Sequence, residues 1–265
     1  MNRASLFDIA YACLVADDLE QKLQLTEAAS AAWKKRALSL SPPENSNRVE
    51  IAGHPSKPQW VAPRQLKQRN LSSDEGRAVM IHAIAHIEFN AINLAWDAVH
   101  RFQQMPEEYY SDWIQVALDE VNHFLMLQKR LHSCGHEYGD FPGHNGLWNL
   151  AQRTAHDPLI RMALIPRMME AHGLDVTPGI IRRFEGVGDQ ETAAALKVIM
   201  QEEVGHVQAG NRWFQYLCQQ RGLEPERTYF ELLGRYNTSE RRAPINREAR
   251  LAAGFTQSEI ERLSR

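Results

Sequence analysis

The sequence predicts an all-α protein, and two observations indicate this class. Apolar residues recur at helical spacing in long stretches, which proline and glycine separate. Alternating β-branched runs bounded by Asn-Gly or Asp-Gly turns, the patterns typical of strands and hairpins, do not occur. Four long helical stretches with short connections favour a bundle of helices.

The chain has a predicted order of four parts. They are an N-terminal helix packed on the bundle (1–40), an extended connector (41–71), the main helical bundle (72–222), and a C-terminal helix and tail (223–265). The first part reads as one helix over residues 6–40. The connector contains Pro42, Pro43, Pro55, Pro58 and Pro63, which favour an irregular segment on the surface. The tail has one weakly amphipathic piece around Ile260.

Local start and stop signals divide the 72–222 segment into helices. Starts are predicted at Ser72 with Glu75, which fits a capping box, after Pro106, at Asp157-Pro158, at Thr177-Pro178 and at Asp189. Stops are predicted at Gly135, Gly173 and Gly222. Pro166 should kink the helix that contains it.

Composition excludes some classes of protein. Lys and Arg number 30 against 33 Asp and Glu, a net charge of -3, so bulk attraction to a nucleic-acid backbone is not expected. No uninterrupted apolar run suggests a membrane span, and the early acidic residues argue against a secretory signal. Three widely spaced cysteines indicate a reducing compartment. We therefore expect a cytoplasmic protein that does not enter a membrane.

Two helical stretches carry carboxylates where a bundle core should be apolar. Glu88 lies between Ile84 and Ile92, one turn away on either side. Glu120 and His123 are three residues apart on the next helix, so they project from one face. Buried carboxylates without a partner are costly. These three residues are therefore candidate metal ligands.

The same arrangement occurs again further along the chain. Glu170 is followed by Glu203 and His206, the second of two Glu-x-x-His motifs in the sequence. Glu203 follows Glu170 by 33 residues, and Glu120 follows Glu88 by 32. This internal repeat matches the ligand set of di-iron and di-manganese carboxylate bundles. Two divalent cations carry about four positive charges, which four carboxylates would balance, and carboxylate with imidazole suits iron or manganese.

Several motifs resemble a known group of proteins. The segments are His86-Ile87-Glu88, Asp119 to Phe124, Tyr138 to Pro142, Glu170 to Pro178 and Glu203 to Val207. Through them the chain resembles the ferritin-like superfamily, and it looks most like a bacterial ferritin-like family of unknown function. The resemblance implies a ferritin-like four-helix bundle with a dinuclear site. It does not specify a reaction, because one fold and ligand set serve many chemistries.

The predicted function is that of an O2-dependent di-iron oxidoreductase or hydroxylase acting on an organic substrate. The expected cofactor is two iron ions, with manganese or a mixed Mn/Fe pair as alternatives. Alternative functions are ferroxidase or iron handling, peroxide dismutation by manganese, tRNA modification, and an interaction protein whose metals only stabilise the bundle. Expected partners are a small molecule or an RNA base with O2, and an electron-donor protein. The chain would be a monomer or a dimer.

Other residues leave alternatives open. His82, His86 and His172 are packing or surface residues, or else ligands or their neighbours. Asp119 and Glu202 either face solvent or orient a metal-bound imidazole. Gly210 leaves room for substrate or for close helix packing, and the loop from Tyr138 to His144 is a connector or a lid. Basic clusters at 34–36, 64–69, 182–183 and 241–242 are solvated charges, or they contact RNA or an anionic substrate.

Overall fold

The computed structural model describes residues 3–42, 48–66, 70–236 and 244–264. Within these ranges most residues lie in helices, and the strands are two residues long. The all-α prediction is therefore confirmed. The chain divides into two compact units, residues 1–152 and 153–265. The division falls inside the 72–222 segment, between its two predicted helical hairpins. Pro43, Arg69, Arg241 and Arg242 lie outside the described residues.

The first unit is built around a long helical hairpin. Its helices are α1 (Leu6–Val15), α2 (Leu19–Lys34), α3 (Asp74–Arg101), α4 (Glu107–Ser133) and α5 (Gly146–Arg153). Short strands β1 (Ala4–Ser5) and β2 (Leu38–Ser39) pair in parallel. Helix α3 packs along α4, while α1 covers α3 and α2 covers α4. The hairpin thus brings its inward side chains together under the two N-terminal helices.

Helix α3 is long and apolar, with a mean hydropathy of 1.3 over its best 18-residue window. In the folded chain 83% of that window is buried. A helix that is apolar all round and covered by neighbours is a core helix. Its length and composition therefore reflect burial in the folded chain.

The N-terminal stretch forms two helices, so the prediction of a single helix over 6–40 was wrong. Asp18 begins α2, because its side chain accepts a hydrogen bond from the Gln21 N–H at 2.8 Å. Helix α2 then ends before Arg36, whose φ is 53°. The start of α3 is also shifted by one residue from the prediction, since Ser73 caps it by accepting from Gly76 N–H.

A buried lysine joins α1 to the core. The Lys22 ammonium group donates to the carbonyl oxygens of Cys13 at 2.8 Å and Leu14 at 3.1 Å, at the C-terminal end of α1. It also donates to Asn93 Oδ1 on α3 at 2.7 Å. Carbonyls at a helix end have no partner within the helix. Lys22 therefore binds two of them and fixes the turn between α1 and α2.

The connector contacts the loop that follows α4. Val61 N–H donates to the Gly143 carbonyl at 2.9 Å, and Gly143 N–H donates to the Gln59 carbonyl at 3.0 Å. From the other side, Gly139 N–H donates to His82 Nε2 at 2.9 Å. These contacts favour the interpretation of the loop from Tyr138 to His144 as a structural link between helices.

The second unit begins at Arg153, the last residue of α5. Its elements are α6 (Pro158–Leu164), a π-helix (Ile165–Glu170), α7 (Ala171–Gly186), α8 (Gln190–Gln220), α9 (Pro225–Arg235), α10 (Arg247–Ala252) and α11 (Gln257–Leu263). Asp157 and Asp189 cap α6 and α8 as predicted, each accepting from a backbone N–H in the first turn. Helices α6 and α7 and the π-helix pack on α8.

Helix α7 corrects two predicted boundaries. It runs unbroken through Gly173 and Thr177-Pro178, so neither the predicted stop nor the predicted restart is present. The irregularity lies earlier, at Pro166, where the helix widens into the π-helix. A proline lacks the N–H that the α-helical pattern needs, and π segments are one way a helix bends.

Gly210 on α8 accommodates this irregular segment. A Cβ at Gly210 would lie 2.3 Å from Pro166 Cβ and 2.4 Å from Pro166 Cγ. Only hydrogen fits at that distance. Of the two interpretations of Gly210, the structure therefore favours close helix packing.

Candidate metal centre

Glu88, Glu120 and His123 come together inside the first unit. Glu88 lies on α3, Glu120 and His123 lie on α4, and all three are buried. His123 Nδ1 is 3.3 Å from Glu120 Oε2 and 3.5 Å from Glu88 Oε2. Each residue offers one ligand atom, and these atoms lie within 4.8 Å of one another. The spacing and the hard oxygen and imidazole donors allow this group to hold a metal ion.

Packing of the hairpin explains why these side chains meet. Glu120 and His123 share a face because they are three residues apart on α4. That face turns toward α3, where Glu88 is buried between Ala85 and Ile92. Glu88 is 5% exposed and Glu120 1% exposed, so little water reaches either carboxylate.

The pKa values of Glu88 and His123 show that placing these side chains together in the core is electrostatically unfavourable without a cation. Burial and the charge of Glu120 raise the pKa of Glu88 to about 8, against the effect of its hydrogen bond with His123. Burial alone would lower the pKa of His123, but hydrogen bonds and charges from Glu120 and Glu88 raise it to about 11. The two carboxylates thus require positive charge beside them. A bound metal cation would supply this positive charge in place of the protons that Glu88 and His123 hold in the metal-free protein.

An aromatic cluster lies next to the ligand-bearing positions. The ring centroids of Phe89 and Phe124 are 6.1 Å apart. The ring centroid of Tyr138 lies 5.6 Å from that of Phe89 and 5.0 Å from that of Phe124. Phe89 follows Glu88, and Phe124 follows His123 in the sequence. The Tyr138 hydroxyl is 2.9 Å from His86 Nδ1. Sequence reasoning did not connect Tyr138 with this part of the core, because the contact joins residues far apart in the chain.

His82 and His86 act on the loop after α4. Burial lowers the pKa of each to about 4, so both rings are neutral and can accept hydrogen bonds. His82 Nε2 accepts from Gly139 N–H, while His86 Nε2–H donates to the His144 carbonyl at 3.1 Å. Both histidines therefore hold the loop, in agreement with a packing role.

The second unit contains the other three predicted ligands. His206 Nδ1 is 3.4 Å from Glu203 Oε1 on α8, and His206 is buried. Glu170 is the last residue of the π-helix, which packs on α8. The i,i+3 pair thus forms as the sequence predicts. Elsewhere, Asp119 accepts a hydrogen bond from Gln115 at 2.8 Å on the exposed side of α4, and Glu202 is exposed.

Comparisons with known proteins give one family and one similar uncharacterised protein. A model of a family described as a protein of unknown function, DUF455, matches residues 15–261. An uncharacterised protein of Haemophilus influenzae is 42% identical over 226 residues, which cover 83% of this chain and 78% of that protein. No solved structure gives a significant match. The family match spans nearly the whole chain, including both hairpins. The protein therefore belongs to the DUF455 family.

Proposed function

We propose that this protein is a dinuclear metalloprotein, with iron as the metal, and that it oxidises or hydroxylates an organic substrate with O2. The observation that carries the proposal is the buried group of Glu88, Glu120 and His123. Two carboxylates and an imidazole in a core layer would be costly without a cation. The ferritin-like relationship, which the repeat of the ligand pattern supports, belongs to this proposal.

We propose that the metal ligands come from two sets of residues. Each set consists of one Glu and the Glu-x-x-His motif that follows it in the sequence. Glu88, Glu120 and His123 would bind from the first hairpin, and Glu170, Glu203 and His206 from the second. The support is the near-equal sequence spacing of the two sets and the i,i+3 pairing of each Glu with its His. A bound di-iron centre would supply the two electrons that O2 chemistry needs.

The surrounding side chains have definite tasks in this proposal. Carboxylates of Glu88 and Glu120 supply negative charge that favours binding of divalent cations over neutral solutes. His123 would bind through one ring nitrogen, and none of the six proposed ligands is a cysteine, the softer thiolate donor. The rings of Phe89, Phe124 and Tyr138 keep water from the first-unit ligands, which strengthens electrostatic interactions there.

An anaerobic Fe(II) titration of the metal-free protein tests the proposal. We expect about two irons per chain, followed by a new near-ultraviolet absorption band when O2 is admitted. A parallel Mn(II) titration compares the two metals under the same conditions. Tighter binding of Mn(II), with no absorbance change on adding O2 to the iron form, would contradict an iron oxidoreductase.

Two histidine variants on α4 provide a matched comparison. His123→Gln removes a proposed ligand, whereas His132→Gln makes the same change at an exposed position of the same helix. We expect His123→Gln to lose at least half of the bound iron and the O2-dependent band, while His132→Gln retains both. Full iron binding by His123→Gln would refute the assignment of this residue.

A further inference from the structure

A cavity of about 670 Å³ opens on the first unit where α2 ends. Strand β2 and the first turns of α4 form its other walls. The volume is in the range of sites that bind small molecules. None of the proposed metal ligands lines it, so the dinuclear centre does not account for this cavity.

Cationic side chains outnumber acidic ones in the lining of the cavity. Arg3, Lys34 and Arg36 contribute three positive charges, against one carboxylate, that of Glu107. None of the three cations forms an ion pair with a residue in the described ranges. Three cations and one carboxylate leave about two positive charges, which match the charge of a phosphate monoester near neutral pH.

The rest of the wall is suited to an organic group. Trp33 lines the cavity beside Leu38 and Ile114. The Trp33 indole N–H donates to Ser111 Oγ at 3.0 Å, which fixes the orientation of the ring. Aromatic rings held in this way offer a flat apolar surface to a ligand at little entropic cost.

Two local features are unusual for a surface with no ligand. Ser30 lines the cavity and is buried, and its hydroxyl oxygen has no hydrogen-bond partner among the described residues. Arg36 adopts a φ of 53°, a conformation that a non-glycine residue seldom takes. Unpaired buried polar groups and backbone strain occur more often at functional sites than elsewhere.

We propose that this cavity binds a small phosphorylated molecule. The phosphate contacts the cationic groups of Arg3, Lys34 and Arg36, since charge-assisted hydrogen bonds from guanidinium and ammonium groups are the strong ones for phosphate. The organic part lies against Trp33. The site is separate from the proposed metal chemistry, and its test does not require metal.

Isothermal titration calorimetry tests this site by measuring how tightly the full chain binds AMP, inorganic phosphate and adenosine. AMP should bind at one site per chain, phosphate should bind more weakly, and adenosine should not bind measurably. Lys34→Gln and Arg36→Asn should each weaken AMP binding by about tenfold or more. Asparagine tolerates the Arg36 backbone conformation, and Lys34 is exposed, so both variants should fold, as thermal unfolding would verify.

Lys35→Gln is the matched control, because Lys35 has the same charge and does not line the cavity. It should change AMP affinity by less than about twofold if the effect is local. An equal loss in Lys35→Gln would show diffuse charge attraction and overturn the proposal. Absence of saturable AMP binding, adenosine binding as tight as AMP, or binding of single-stranded RNA without AMP binding would also overturn it.

Discussion

Arg167 and Glu259 form a buried ion pair that joins the π-helix to α11. Arg167 Nη2 and Glu259 Oε1 are 2.5 Å apart, and both side chains are nearly inaccessible to solvent. The Arg167 guanidinium also lies over the rings of Phe214, Tyr229 and Phe255, at 4.6, 4.3 and 4.8 Å from their centroids. The C-terminal helix thus holds the segment that carries Glu170.

Removing this pair should destabilise the second unit. Glu259→Gln leaves the Arg167 charge buried without its counter-ion, so we expect a loss of about 3–5 kcal/mol in the free energy of unfolding. Urea denaturation measures it. Glu231→Gln is the control, because Glu231 pairs with Arg227 on the exposed side of α9, and it should cost less than about 1 kcal/mol. Similar losses in both variants would argue against a special role for the buried pair.

Two glycines on α8 should respond to alanine in opposite directions. A Cβ at Gly210 would overlap Pro166, so Gly210→Ala should destabilise the protein by about 1–3 kcal/mol. Among the described residues, no atom outside the adjacent helix backbone lies within 4 Å of a Cβ at Gly205, so Gly205→Ala should stabilise the protein by about 0.5–1 kcal/mol through helix propensity. Thermal unfolding compares them. Stabilisation by Gly210→Ala would mean that the close contact with Pro166 does not persist.

Glu88→Gln should change stability and metal binding in opposite directions. The change removes one of two neighbouring buried carboxylates, so the metal-free protein should gain about 1–3 kcal/mol. Iron binding, measured by equilibrium dialysis, should fall because a charged ligand is lost. Glu75→Gln, at the exposed start of α3, should alter stability by no more than about 0.5 kcal/mol and leave iron binding intact. A Glu88→Gln protein that is less stable and still binds iron would indicate a structural role.

Lys22 should contribute a pH dependence above neutrality. Burial lowers its pKa from 10.5 to about 7, with opposing effects from Cys13 and Asp17. Between these values the unfolded chain binds a proton that the folded protein has released, so the contribution of Lys22 to stability should increase as pH rises. The raised pKa values of Glu88 and His123 act in the opposite direction in both proteins, so the measured quantity is the difference between the urea-denaturation profiles of the wild type and Lys22→Met. We expect this difference to grow in favour of the wild type by about 1–2 kcal/mol between about pH 7 and 8.5. Lys22→Met should lack this increment, and parallel pH profiles for both proteins would contradict the shift.

Local signals in the sequence predicted much of the helical structure. Asp157 and Asp189 begin helices as expected, because a capping side chain acts within its own first turn. The pairing of Glu120 with His123 and of Glu203 with His206 is equally local, since i,i+3 geometry follows from the helix itself. Such features need no knowledge of which elements pack together.

Features decided by tertiary contacts were harder to predict. Thr177-Pro178 has the pattern of a helix start, yet α7 continues through it, because packing on α8 outweighs the local preference. The π-helix depends on Gly210, more than forty residues after Pro166. The roles of His82 and His86 likewise depend on a loop more than fifty residues away. Periodicity within one helix contains none of this information.

The pairing of Gly143 with Gln59 and Val61 has a consequence for the order of folding. It joins segments that are distant in sequence, whereas α3 and α4 are neighbours connected by a short turn. Contacts between distant segments carry a larger loop-closure entropy and tend to form late. The amides of Val61 and Gly143 should therefore exchange with solvent together, in a local opening that leaves the long hairpin closed. The connector would then dock last, onto α3 and α4 that have already paired.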